Sequence, residues 1–370
     1  MTPQQQQFRP YFGRAWQFKL TTGTGTVTLS SNPSGESLRA SFKVSTQLMA
    51  AYSAGELTIW NLNPQTAASA VASGSVPTSQ LWQFYTRVQR GDTVVISAGY
   101  RQTSAGAFSP EANVIYVGNV LQPIWTRESV VDWRLTLRCT FGFLGDALNY
   151  ANVSLPSNVS YFHAVQQIMD KSGLTAQNET SIDQAGLSSI LFPRAQVHFG
   201  RPYDLLAEIA RDNNMLFWVS PHGGGGGVNL RQVNFDPNTA PDWAYSPPGV
   251  QATMPNGVVS NVIKQTIIGT PEQTQDGLDF RVEMDAQPLI GDTVGLAPGT
   301  LVNPFPISQG VTKTAALNPI PNRAGVYLII GLSYVGDTRG QDWYTEIHAV
   351  TSNFWAQIVE NDKSAPPAAN

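Results

Sequence analysis

Short runs in which every second residue is apolar, each closed by glycine, proline, serine or asparagine, recur through most of this 370-residue chain. Side chains on a strand point alternately to its two faces, so such a run buries one face and leaves the other wet. Ser37–Ser45 places Leu38, Ala40, Phe42 and Val44 on one face, and Gly55–Leu62 turns Leu57 and Ile59 inward before Asn61 ends it. Thr21–Ser31, Asp92–Tyr100, Ala112–Val120 and Val131–Cys139 are further strands by composition and pattern. Pro64–Pro77 is a loop of small residues, and Ser79–Arg87 a short helix. Strands at this spacing imply a barrel or sandwich over residues 1–150.

The period changes near residue 152. Tyr161–Lys171 spaces Phe162, Val165, Ile168 and Met169 as a helix does, with Ser160 to cap its start and Gly173 past its end. Pro202–Asn213 is a second helix, with Pro202 at the first helical position and Leu205, Leu206 and Ile209 as its buried stripe. Met215–Ser220 and Val228–Val233 form a hairpin around the glycine run Gly223–Gly227. Residues 151–240 therefore make a small α+β domain. A proline-rich connection, Asp236–Pro255, leads to strands at Ser260–Gly269, Leu278–Met284, Thr293–Leu296, Gly325–Val335 and Trp343–Ser352. The expected fold is mainly β with an α+β insert: a first tube-like β-barrel domain (1–150), a middle domain (151–240), a second β-barrel domain (241–355) and a loose tail (356–370).

Composition narrows the function. Charged residues make up 13% of the chain, about half the usual share, and its net charge is −4. Counterion release therefore gives no general drive to coat nucleic acid. Nine Trp, twelve Tyr and sixteen Phe supply far more burial than a disordered chain has. The lone Cys139 excludes an intramolecular disulfide framework and reads as a small buried residue. No window reaches the ~18 apolar residues of a membrane-spanning helix. Residues Gln4–Gln7 replace the apolar core that a signal peptide needs, so the Asn152, Asn158 and Asn178 triplets are not read as glycosylation sites.

No constellation carries catalysis. Gly223–Gly227 lacks the Lys-Ser/Thr and the helix that a phosphate loop requires. The histidines His163, His198, His222 and His348 form no paired ligand motif, although Glu346 and His348 share a strand face. Asp276, Asp279, Glu283 and Asp285 cluster, the last three on one face with Arg281 and opposite Phe280, Val282 and Met284, as the wet side of a hairpin does. No GxSxG nucleophile elbow is present. No catalytic residue, cofactor or metal site is expected.

Gly325–Tyr344 is a strand, a polar turn and a returning strand. Gly336 and Gly340 can supply positive φ, Asp337 can bind the turn backbone, and Arg339 can pair with an acid or reach a neighbouring chain. This stretch, Gly-Asp-Thr-Arg-Gly between two strands, resembles the last hairpin of baseplate hub proteins of contractile-tailed phages. Leu57–Leu62, Gly91–Tyr100, Val114–Val120, Leu135–Cys139 and the helix Pro202–Asn213 before Met215–Val219 are similar to successive elements of that family, so the likeness runs through most of residues 38–352.

The resemblance implies a structural protein, not an enzyme. It implies a homotrimer whose two barrels per chain make a pseudo-six-fold ring. Its expected partners are the tail tube protein, the central spike protein, here a separate protein, and other baseplate wedge proteins. DNA would only pass through the lumen, and no stable membrane insertion is expected. The setting would be the virion, in the tail baseplate, after assembly in the host bacterial cytoplasm. A tail-associated cell-wall hydrolase and a carbohydrate-binding tail module are the alternatives.

Overall fold

The computed structural model describes residues 12–23, 25–31, 38–48, 53–61, 88–103, 106–129, 132–141, 150–174, 176, 182–221, 227–232, 240–248, 263–274, 276–296, 300 and 326–351. Among them the fold is mainly β with three helices.

The first strands are β1 (Phe12–Thr22), β2 (Gly25–Ser30), β3 (Ala40–Gln47) and β4 (Ser53–Trp60). Thr21–Ser31 is thus not one strand. Thr22 pairs with Gly25, whose φ of +145° suits glycine, and the chain reverses there. β3 and β4 bury alternate residues, including Phe42, Val44, Leu57 and Ile59, and Asn61 ends β4 at a φ of +54°. Then come β5 (Thr93–Thr103), β6 (Gly106–Ala107), β7 (Val114–Arg127) and β8 (Trp133–Phe141). The expected Pro64–Pro77 loop and Ser79–Arg87 helix lie outside the described residues.

The middle segment contains β9 (Ala151–Leu155), α1 (Tyr161–Ser172), α2 (Gln184–Ser189), β10 (Gln196–Gly200), α3 (Pro202–Asp212), β11 (Leu216–Ser220) and β12 (Gly227–Arg231). The Ser160 side chain accepts from the His163 N–H, and Gly173 closes α1 in the left-handed region. Pro202 opens α3. β11 and β12 pair antiparallel, as the expected hairpin requires. Val165, Ile168, Leu206 and Ile209 join Val153, Leu155 and Val219 in one apolar cluster, while Phe162 is only half-buried.

The last segment holds β13 (Trp243–Tyr245), β14 (Ile263–Lys264), β15 (Ile267–Gln273), β16 (Gly277–Glu283), β17 (Thr293–Leu296), β18 (Val326–Asp337) and β19 (Trp343–Val350). The expected Ser260–Gly269 strand is divided between β14 and β15. β13 lies inside the stretch expected to be only a connection.

Among the described residues fifteen strands form one curled sheet. Its path runs β14-β13-β17-β18-β3-β4-β8-β7-β5-β1-β2, and β19, β16 and β15 continue from the other edge of β18. β18 makes this continuity possible. Val326–Leu328 pair with β17, and Gly331–Asp337 pair with β3, which lies almost three hundred residues earlier. The buried faces merge accordingly, so that Trp16, Phe18, Phe42, Leu137, Phe280, Leu332 and Ile347 belong to a single core cluster.

Candidate functional site

Opposite that core lies the polar face of the sheet. Residues that pair directly across strands point to the same side. One row of such pairs runs from β16 to β2: Arg281, Glu346, Ser333, Ser45, Ala54, Thr140, Asn119, Thr93, Thr21 and Thr26. At the usual strand spacing it is roughly 43 Å long. Arg281 Nε donates to Glu346 Oε1 at 2.9 Å, Asn119 Nδ2 to Thr93 Oγ1 at 3.3 Å, and the Thr21 and Thr26 hydroxyls stand 3.1 Å apart.

The neighbouring row reads Glu283, Tyr344, Val335, Lys43, Glu56, Arg138 and Gln122. Its charges alternate from Lys43 to Arg138, and Arg281 lies over the Tyr344 ring. A third row, Asp279, His348, Gly331 and Gln47, ends where the curl of the sheet encloses a groove of about 530 Å³ between β15 and β3. His348 Nδ1 pairs with Asp279 Oδ1 there. The Asp279 hydrogen bond raises the His348 pKa against the opposing effect of burial, and the charges of Asp279 and Asp276 add to the rise.

The turn between β18 and β19 locks the first strands to the last. Asp337 Oδ1 accepts from the Arg339 and Gly340 N–H groups, as the sequence leads one to expect, while Oδ2 accepts from Arg39 at 2.8 Å. Arg14 donates to the carbonyls of Asp337, Gly340 and Gln341. Trp343 Nε1 donates to the Gly99 carbonyl at 3.1 Å, and the Trp343 ring meets Phe42 edge-on. Partial burial pushes the Asp337 carboxyl up, but Arg39 and the two backbone donors outweigh it and hold the group below the usual range.

Gly336 and Gly340 do not have positive φ; the described glycines that do are Gly13, Gly25, Gly91, Gly173, Gly269 and Gly291. Their role is space. A Cβ on Gly336 would overlap the Phe42 ring, and one on Gly340 would press on Asp337.

The other sequence candidates disperse. Asp285 leaves the acidic face to pair with Lys264, which also donates to Gln287 at 2.8 Å and lies 4.3 Å from the Trp243 ring centre. His163 is beside Gln167 on α1, and His198 packs against Phe192. His222 and Gly223–Gly226 lie outside the described residues; Gly227 starts β12. Cys139 is buried, and burial pushes its thiol up to about 12. Among the described residues no three His, Cys, Asp or Glu side chains group to hold a metal, and no helix is long and apolar enough to cross a membrane. Sequence reasoning missed Arg14 and Arg39, whose partners lie about three hundred residues away, and Lys264, whose partners Asp285 and Gln287 follow β16.

No family model matches the sequence, and no curated protein matches it. Solved structures do. The 43 kDa tail protein of prophage MuSo2 from Shewanella oneidensis superposes with a TM-score of 0.50 at 9% identity, over 92% of this chain and 99% of that one. The tail protein from Neisseria meningitidis MC58 gives 0.49 at 8% identity, over 93% and 98%. An E. coli component of the type VI secretion system, described as structurally similar to the T4 bacteriophage tail proteins gp27 and gp5, gives 0.46 at 11%, over 86% and 74%. The chain has the fold of the MuSo2 tail protein.

Proposed function

We propose that this chain is the structural hub of a contractile phage-tail baseplate. Three copies form a pseudo-six-fold ring that joins the tail tube to the central spike, and the lumen of that ring passes DNA during ejection. Residues 1–150 and 241–355 contribute the two tube-like halves, and 151–240 the middle domain. The tube protein, the spike and the baseplate wedge are its partners, in a virion assembled in the host cytoplasm.

The row from Arg281 to Thr26, polar at every position but Ala54, is the observation that carries this reading. A channel wall for DNA must be wettable and must not hold phosphates. Hydroxyls and amides meet the first need. Bases that stand beside acids, as Lys43 and Arg138 stand beside Glu56, meet the second. Ring closure also suits the sheet ends. Among the described strands β2 and β15 are each paired along one edge only, and heterologous contacts between copies would cover such edges.

Electron microscopy and mass photometry of the purified protein, alone and with its spike, test the proposal. A closed three-fold ring is expected. A strictly monomeric protein that never joins a tail particle would overturn it.

A further inference from the structure

One surface belongs neither to the large sheet nor to its polar rows. β9 and β10 form a separate two-stranded sheet whose inner face, Ala151, Val153 and Leu155, is buried in the α+β core. Its outer face pairs Asn152 with Phe199 and Ser154 with Val197. Phe199 and Val197 are each 69% exposed, and Tyr150, at the entry to β9, is 61% exposed. A soluble chain ordinarily has no reason to turn Phe and Val outward on the one face and bury alanine on the other.

The two aromatic rings are arranged as a platform. Tyr150 and Phe199 lie within 19° of parallel with centroids 6.0 Å apart, so they are displaced sideways rather than eclipsed. Both residues remain largely open to solvent. The Asn152 amide, beside Phe199, can donate and accept, and so can the Ser154 hydroxyl.

We infer that the outer face of β9–β10 is a binding platform for a neutral sugar ring. The C–H face of a pyranose carries slight positive charge and matches the electron-rich face of an aromatic ring. Its equatorial hydroxyls would reach the Asn152 amide and the Ser154 hydroxyl at the platform edge. An apolar floor with a few placed polar groups is how small-ligand sites are built. All five side chains are uncharged, which leaves nothing to select a phosphate or an acidic sugar. Size favours a sugar over a protein: the patch is roughly 14 Å by 10 Å, on the order of 150 Å², against about 800 Å² per partner in a stable protein interface.

The test uses the full-length protein on an array of neutral oligosaccharides, followed by calorimetry with the best binder. Binding is expected in the millimolar to high-micromolar range, weakened at least tenfold by Phe199→Ala and by Tyr150→Ala, and retained in Phe199→Tyr. These positions are exposed, so melting temperature should change little in either alanine variant. No binding to any neutral glycan at 10 mM, on the order of the weakest useful affinities, would overturn the inference. So would binding that survives the double alanine variant. A loss of self-association in Phe199→Ala, without any sugar effect, would assign the patch to a protein contact instead. Ring formation is read separately by mass photometry, so failure of the sugar site leaves the hub proposal intact.

Discussion

Arg39 and Asp337 are 298 residues apart in sequence and 2.8 Å apart in space. Asp337 is the more buried partner, with 16% of its side chain exposed, against 48% for Arg39. The ion pair itself is therefore screened and contributes little. More of the effect comes from the two turn N–H groups that donate to the Asp337 carboxylate. Asp337→Ala should lower unfolding free energy by about 1–2 kcal/mol in denaturant titrations. Because the folded pKa is depressed, this contribution is present above the unfolded carboxylate pKa and is lost as pH falls through the folded value. Wild type and variant should therefore converge in acid, and an unchanged gap there would contradict the assignment.

Gly336→Ala tests the seam by bulk instead of charge. The new methyl group would collide with the Phe42 ring, whose edge contacts hold Phe18 and Trp343. Overpacking of this kind costs about 1–3 kcal/mol. Phe42→Leu should restore part of the loss in a double-mutant cycle. Additive effects would mean that the two positions do not touch.

The hairpin around Asp337 is legible in sequence because its causes are local: alternating apolar residues, then a turn of Gly, Asp and Thr. The faces of β3, β4 and β16 are legible for the same reason, and so are both caps of α1. Pairings across the chain leave no such trace. Nothing near Arg14 or Arg39 announces a turn three hundred residues later, and nothing near β3 announces β18. The polar row is hidden likewise, since each hydroxyl in it is ordinary until register aligns the strands. β9 and β10 are five residues each, too short for alternation to stand out in a Ser- and Asn-rich segment. β13 is obscured by the prolines around it.

Lys264 and Asp285 form a pair that is largely removed from water, with 7% and 13% of their side chains exposed. Burial lowers the Lys264 pKa, and Asp285 pulls it back in the other direction. Removing one partner leaves a buried charge, so Lys264→Met should cost about 3–5 kcal/mol in chemical denaturation. The double variant Lys264→Met with Asp285→Leu should regain most of it. A double variant no better than the single one would show that Tyr245, which also donates to Asp285, depends on the carboxylate.

His348 gives the groove a pH response of the opposite sign to that of Asp337. Its folded pKa is raised, so the stabilisation it brings is complete below the unfolded value and is lost as pH rises through the folded one. Both partners are nearly half-exposed, which keeps the effect below about 1 kcal/mol. NMR titration should find the imidazole above its ordinary range in wild type and near it in Asp279→Asn. Titration at the ordinary value in both proteins would mean that the pair does not form in solution.

The polar face should be indifferent to DNA because its bases stand next to acids, and that indifference can be removed by substitution. Ser45 and Ser333 are cross-strand neighbours in the middle of the row. Ser45→Arg together with Ser333→Arg adds two positive charges to a stretch whose one directly opposed acid, Glu346 across from Ser333, is already paired with Arg281. Every phosphate that an added arginine neutralises should steepen the dependence of log affinity on log salt by about 0.9. If the proposed ring forms, filter binding of duplex DNA to it should therefore show no retention for wild type, and retention by the double variant that disappears as salt rises. If wild-type rings already hold DNA at low salt, or the arginine rings never do, this face is not the wall that DNA meets.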